Sequence, residues 1–471
     1  MNRRRFFKNG LLTTLGAAIL SPLETTGTNN FNATWKNKKA KNIILMVSDG
    51  MSTGTLSMAD QYLSRKTGIG SNWLSLYKEN KVSRALMDMT SASSVVTDSA
   101  AASSSWGGGF RIKNGKLNYG VNGEFHKPLW QKFKYAGKKT GCITTVPITH
   151  ATPAGLCINQ KSRKDQEGIA EKYLDQKFDL LMGGGHKYFS PNKRKDKKDM
   201  YVAFKEKGYQ VARNQKEMIS APIGKPLLGV FADNSLSFTK DQQSDQKIME
   251  ETPSLAVMTR KAIDILKNHP KGFVLLIEAG KVDWAAHAND IAGLLYDQIA
   301  FDESIKVAMD YAESNEDTLV IFTTDHGNAN PGVIYGAKAN DNFDSIHGYK
   351  HTNEWILNGI GKETSIQKIM ERVEYANRFV LTEEEAKNIL THYNGLRVKE
   401  DGLYNPKQLP FKLLSEIQKK HNSVGWMSMQ HSADYVELAM YGPGSHLLAP
   451  FIKNTDLHYL VLAAAEIENR F

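Results

Sequence analysis

"NIILMVSDG", residues 42–50, decides the fold. Ile43 to Val47 are five consecutive apolar residues, closed by Ser48, Asp49 and Gly50. A run this short and this continuously apolar reads as a strand buried on both faces, with Asp49 delivered at its carboxyl end. The pattern recurs along the chain. "KKTGCITTVPITHATP" (138–153) is a strand followed by a loop carrying His150 and Thr152. "FDLLMGGG" (178–185) is a strand with a glycine turn, "GFVLLIEAG" (272–280) a strand ending at Glu278, and "DTLVIFTTDHGN" (317–328) one ending at Asp325 and His326. Helical patterns lie between them at 254–269 and 288–314. Strands alternating with helices predict an α/β fold: a central, mostly parallel sheet with helices on both faces. In such sheets ligands bind off the carboxyl ends of the strands, which is where these acids and histidines fall.

The 471 residues, 41% hydrophobic and 23% charged, have globular composition and length for a large core. The net charge is +10, yet no basic stripe interleaved with aromatics appears, so nucleic-acid recognition is not expected. The densest basic run, "PNKRKDKKDM" (191–200), reads as a solvated loop, and a positive field would help draw in anionic substrates. Two cysteines, Cys142 and Cys157, make no disulfide framework; buried free thiols are expected, with a bridge left open. Residues 1–27 read as an export signal: "RRRFFK" resembles a twin-arginine motif, and the apolar run Leu11 to Leu20 is too short to span a bilayer. The protein is therefore expected outside the cytoplasm, periplasmic or extracellular, with no transmembrane span in its mature part. Residues 40–334 and 426–471 read as one core. Between them, 335–425 breaks the strand rhythm and reads as a mainly helical insertion, with Thr382 and Glu385 at capping-box spacing.

Chemistry-bearing residues cluster at the strand ends. In "EAGKVDWAAHAND" (278–290), Asp283 and His287 are four apart and share a helix face, half of a site for zinc or a similar cation. In "VVTDSAAASSSWGGG" (95–109), Asp98-Ser99 precedes an alanine run. Ser99 there is either a helix cap or a nucleophile beside an anion-binding helix start. His431, in "GWMSMQHSADY", offers another imidazole.

Taken in order, "VSDGMS", "VVTDSAAAS", "HATPAGLCINQKSR", "IEAGKVDWAAH", "TTDHGN" and the histidine of "MQHSADY" resemble the alkaline phosphatase family, the serine-nucleophile metallophosphomonoesterases. The resemblance implies hydrolysis of small phosphate monoesters through a phosphoseryl intermediate on Ser99. It implies one zinc (Zn2+) on Asp283, His287 and His431, and a second on Asp49, Asp325 and His326. A third ion, normally magnesium (Mg2+), would sit on Asp49, Thr152 and Glu278. Arg163 would grip the phosphate, oriented by Asp98. His150 and Trp284 stand where some members carry Asp and Lys, next to the metals rather than on them, so the third ion's identity stays open. These roles are chemically coherent. A dication makes a serine hydroxyl an alkoxide, and two metals about 4 Å apart stabilise attacking and leaving oxygens of an in-line displacement. An arginine fork binds phosphate bidentately. A homodimer is allowed by this reading and not specified by it. The rivals are a phosphodiesterase or other superfamily phosphohydrolase, which Thr152 and Glu278 oppose, and a non-enzymatic metal- or phosphate-binding protein. A sulfatase would need a C/S-x-P-x-R motif, and Ser99 is followed by three alanines.

Overall fold

The computed structural model describes Trp35 and residues 37–398 and 402–469. Residues 1–27, read from the sequence as an export signal, lie outside the described residues. Ten strands form one sheet: β1 (Asn42–Ser48), β2 (Ser83–Asp88), β3 (Lys139–Pro147), β4 (Leu180–Gly184), β5 (Gln210–Ala212), β6 (Leu227–Val230), β7 (Phe273–Ala279), β8 (Thr318–Thr323), β9 (Val436–Tyr441) and β10 (Phe451–Lys453). Across the sheet the order is β10-β2-β9-β8-β1-β7-β3-β4-β6-β5. Only β9 runs against its neighbours, pairing antiparallel with both β2 and β8. The strands that carry the candidate site, β1, β7, β3 and β8, are adjacent and parallel at the centre.

The continuous apolar runs exist because both faces of these strands are covered. Side chains alternate between two buried clusters. Ile44, Met46, Leu275 and Ile277 enter one, and Ile43, Leu45, Val47, Val274 and Leu276 the other. The helical stretches begin where polar caps stand. Ser254 caps Leu255–Leu266 by accepting from the Val257 N–H, and Asp290 caps Ile291–Ser314 by accepting from Gly293.

The described residues of 335–425 carry five α-helices, from Ala339–Ser345 to Phe411–Asn422. Much of this stretch packs around an apolar cluster of its own, with Ile356, Ile369, Val373, Ile389 and Leu414 at its centre. The Thr382–Glu385 capping box is made in both directions. The segment leaves and rejoins at one place, because Gly332–Val333 pairs antiparallel with Val424–Gly425. Cys142 and Cys157 are buried and unbridged, their sulfurs 3.5 Å apart. Among the described residues no helix is long and apolar enough to cross a membrane.

Candidate active site

The centre of the sheet delivers the acids. Asp49 follows β1 directly, Glu278 is the penultimate residue of β7, and Asp325 and His326 lie just beyond β8; all four are buried. Three short helices close the site: α1 (Ser99–Gly108), α2 (Ala151–Cys157) and α3 (Lys281–His287). His431 comes from more than a hundred residues after Asp325. A two-residue ribbon, Gly327–Asn328 against His431–Ser432, pairs His431 with Asn328 and so lays the imidazole beside His326, rings 3.6 Å apart.

The side chains converge in three groups able to hold a metal: Asp283, His287 and His431; Asp49, Asp325 and His326; and Asp49, Glu278 and His150. Their donor atoms fit cations. In the first group His287 Nδ1 donates to the Met429 carbonyl (2.7 Å) and His431 Nδ1 to the Thr97 carbonyl (3.0 Å). Carbonyls only accept, so each imidazole keeps Nδ1–H on a carbonyl and turns Nε2, the atom a metal would take, inward. Those two Nε2 atoms lie 3.1 Å apart, and each is 3.5 Å from an Asp283 oxygen. In the other groups both oxygens of Asp49, both of Glu278, Oδ2 of Asp325 and Oγ1 of Thr152 are buried without a hydrogen-bond partner. So many orphaned buried oxygens cost several kcal/mol unless a cation collects them (roughly 1–3 each).

The protonation equilibria report the same crowding. Burial, and then repulsion from Asp325, Asp283 and Glu278, raise the Asp49 pKa well above the usual carboxylate range. Burial pushes Glu278 up to about 7 and Asp325 up to about 6. Burial opposes ionisation of Asp283 too, but His287 and His431 override it and its pKa falls. For His431, burial lowers and the bonded Asp283 carboxylate raises, and the balance lies at about 9. Burial and then the nearby Arg163 cation hold His150 down at about 3, so its ring is neutral.

Ser99 is the first residue of α1, and its Oγ lies 3.3 Å from His326 Nε2. The cap is Asp98, whose Oδ1 accepts from the Ala101 N–H. The capping role thus falls to the acid, and the Ser99 hydroxyl lies beside His326. Asp98 Oδ2 also accepts from Arg163 Nη1 (3.0 Å) and the Gly115 N–H (3.0 Å). Burial opposes the Asp98 charge; Arg163 and these bonds outweigh it, and the pKa is lowered. The other guanidinium nitrogen, Nη2, meets His150 Nε2 at 3.1 Å. Trp284 stands edge-on to the His150 ring. Helices α1 and α2 are pinned together by Ser103, whose Oγ bonds the Ser99 and Ala151 carbonyls, so Ser99 and Thr152 hold one spacing.

The family model "Alkaline phosphatase" matches residues 40–467. The chain belongs to the alkaline phosphatase family. Alkaline phosphatase 4 of Bacillus subtilis is 30% identical over 454 residues, covering 94% of this chain and 93% of that one. The Escherichia coli alkaline phosphatase is 29% identical, covering 64% of this chain and 73% of its own. Among solved structures, Thermus thermophilus alkaline phosphatase superposes with a TM-score of 0.83 at 30% identity, covering 96% of both chains. The cold-active alkaline phosphatase of a psychrophilic Shewanella gives 0.76 at 25% identity, over 90% of this chain and 99% of that one. Membership makes this chain an enzyme, a phosphoric monoester hydrolase of a metal-dependent family.

All the site residues named from the sequence fall in this one region. Two features were not foreseen. His150 lies within the third metal group rather than merely next to it. Asn328, fully buried, donates from Nδ2 to Asp283 Oδ1 at 2.7 Å and so fixes that carboxylate's orientation. Its only signal in the sequence is its place, two residues after His326.

Proposed function

We propose that this alkaline phosphatase family member hydrolyses phosphate monoesters through a covalent phosphoserine on Ser99. The observation that carries the reading is Ser99 Oγ 3.3 Å from His326 Nε2, in the region where the Asp98–Arg163 pair is fixed. Two zinc-type ions, on Asp283/His287/His431 and on Asp49/Asp325/His326, and a magnesium-type ion on Asp49/Thr152/Glu278 would supply Lewis acidity and neutralise phosphate charge. Arg163 presents its planar fork to two non-bridging phosphate oxygens. Asp98 anchors that fork from behind, and the free N–H groups at the start of α1 face the same anion. Ser99 Oγ attacks phosphorus in line; a P–O bond forms to Ser99 while the ester P–O bond breaks and the alcohol departs. Water then attacks the phosphoserine, releasing inorganic phosphate and restoring the hydroxyl. The oxygen-only donors of Thr152, Glu278 and Asp49 suit a hard ion, whereas His150 in the same group suits a softer one.

The same reading takes residues 40–334 and 426–471 as the catalytic core, 335–425 as an insertion, and residues 1–27 as an export signal. Turnover of p-nitrophenyl phosphate by the metal-loaded protein, with a diester and a sulfate ester alongside, tests the reaction class. Preference for the diester would favour the rival phosphodiesterase.

A further inference from the structure

Two loops meet at Arg163, and both are rich in lysine. The first is Lys113-Asn114-Gly115-Lys116; the second is Lys161-Ser162-Arg163-Lys164. The backbone ties them to the phosphate-binding pair. The Gly115 N–H donates to Asp98 Oδ2, and the Arg163 N–H donates to the Gly115 carbonyl, both at 3.0 Å. Asn114 Nδ2 bonds the Val96 carbonyl, three residues before Ser99, which holds the first loop against the start of α1. Four lysines therefore stand within one or two residues of Gly115 or Arg163. Lys113, Lys161 and Lys164 are exposed and Lys116 is half-buried. Among the described residues none of the four forms an ion pair, although Lys161 lies over the Tyr119 ring. The two acids hydrogen-bonded to these loops, Asp98 and Asp165, are already engaged. Asp98 holds Arg163, and Asp165 caps the following helix while accepting from Gln160. Within the two loops and these bonded acids, five cations stand against two carboxylates. A monoester engages Arg163 with its reacting phosphate and leaves the lysines without an anion to meet.

We propose that this lysine rim is a second anion subsite, selecting monoesters whose leaving group carries a second phosphate. The inference rests on the phosphatase reading above, and its test separates the two. The probes are glucose 1,6-bisphosphate and glucose 6-phosphate, with p-nitrophenyl phosphate as the reference. On the wild-type enzyme, kcat/KM for the bisphosphate should exceed that for the monophosphate by more than the factor of two a second ester contributes. The excess should fall as salt rises, because exposed charges are screened. In the double variant Lys113→Gln/Lys164→Gln, the bisphosphate-to-monophosphate ratio should drop about tenfold at low ionic strength, while p-nitrophenyl phosphate turnover changes far less. A control variant, Lys216→Gln/Lys225→Gln, removes the same charge from exposed positions beside the edge strand β5 and should leave the ratio intact. An unchanged ratio in the rim variant, an equal loss in the control, or no wild-type preference overturns the proposal. Absence of p-nitrophenyl phosphate turnover in the wild type would instead overturn the phosphatase reading.

Discussion

Asn328 shows how much of a metal group is built by residues that touch no metal. Its amide holds Asp283 Oδ1, and its backbone pairs with the strand bearing His431, so one residue positions two members of the first group. Asn328→Ala should weaken metal binding by about 10- to 100-fold, as loss of an outer hydrogen bond does in metal sites. Chelator competition measures this, and unchanged affinity would remove Asn328 from the account. Gly50 works by being small. Its φ is +69°, and a Cβ there would lie 2.6 Å from Asp283 Oδ1, so Gly50→Ala should displace that carboxylate and lower metal content. Asp49, Asp325 and His326 stood out in the sequence because a charged group at the end of an apolar strand is costly without a purpose, and Asp283 with His287 by their helical spacing. Asn328 did not, because its partner is 45 residues away and an asparagine after a turn has many ordinary uses.

At the scale of elements, the site depends on how closely α1 and α2 approach. A Cβ on Gly155 would lie 2.1 Å from Ser103 Oγ, and one on Gly107 would lie 2.0 Å from the Gly155 carbonyl oxygen. Gly155→Ala should therefore cost about 1–3 kcal/mol by overpacking. It should also lower kcat, because the two helices carry Ser99 and Thr152. Thermal unfolding and turnover of the same variant check both, and a stability loss with full kcat would show that helix spacing is not catalytic. The central strands could be read directly, since burial on both faces leaves unbroken apolar runs. Strands β2, β5, β6 and β10 could not. They are three to six residues long, and in β2 polar and apolar residues mix because Arg84 and Leu86 are exposed. Nor could the direction of β9, which its neighbours set rather than its own residues.

Over the whole molecule, stability should follow both metal and pH. Ions that bind only the folded chain stabilise it by mass action, so chelation should lower Tm and metal should restore it. In metal-free protein, buried Asp297 supplies a distinct signal. Burial raises its pKa to about 7, although Lys281 partly opposes the shift, whereas the ordinary value is 3.8. Between those values the folded state binds the extra proton, so this group stabilises the fold at acid pH and loses that contribution as pH rises towards 7. Asp297→Asn should flatten this slope in chemical denaturation measured from pH 4 to 7; a slope unchanged in the variant would clear Asp297 of the effect. The core itself is ordinary packing, and Leu276→Ala, fully buried in β7, should cost about 2–5 kcal/mol. The fold class was legible because alternation of strand and helix is a long-range pattern. The union of His431 with the rest came from the family resemblance, since no local pattern announces a ribbon between residues a hundred apart.

The central claim is that Ser99 carries the phosphoryl group, and direct trapping tests it. Metal-loaded enzyme is mixed with excess inorganic phosphate at low pH, quenched in acid, digested and examined by peptide mass spectrometry. Phosphate should be found on Ser99 and be absent from Ser99→Ala, which should keep its bound metals while losing most of its turnover. Phosphate on another residue, or a Ser99→Ala enzyme with full activity, would contradict the account.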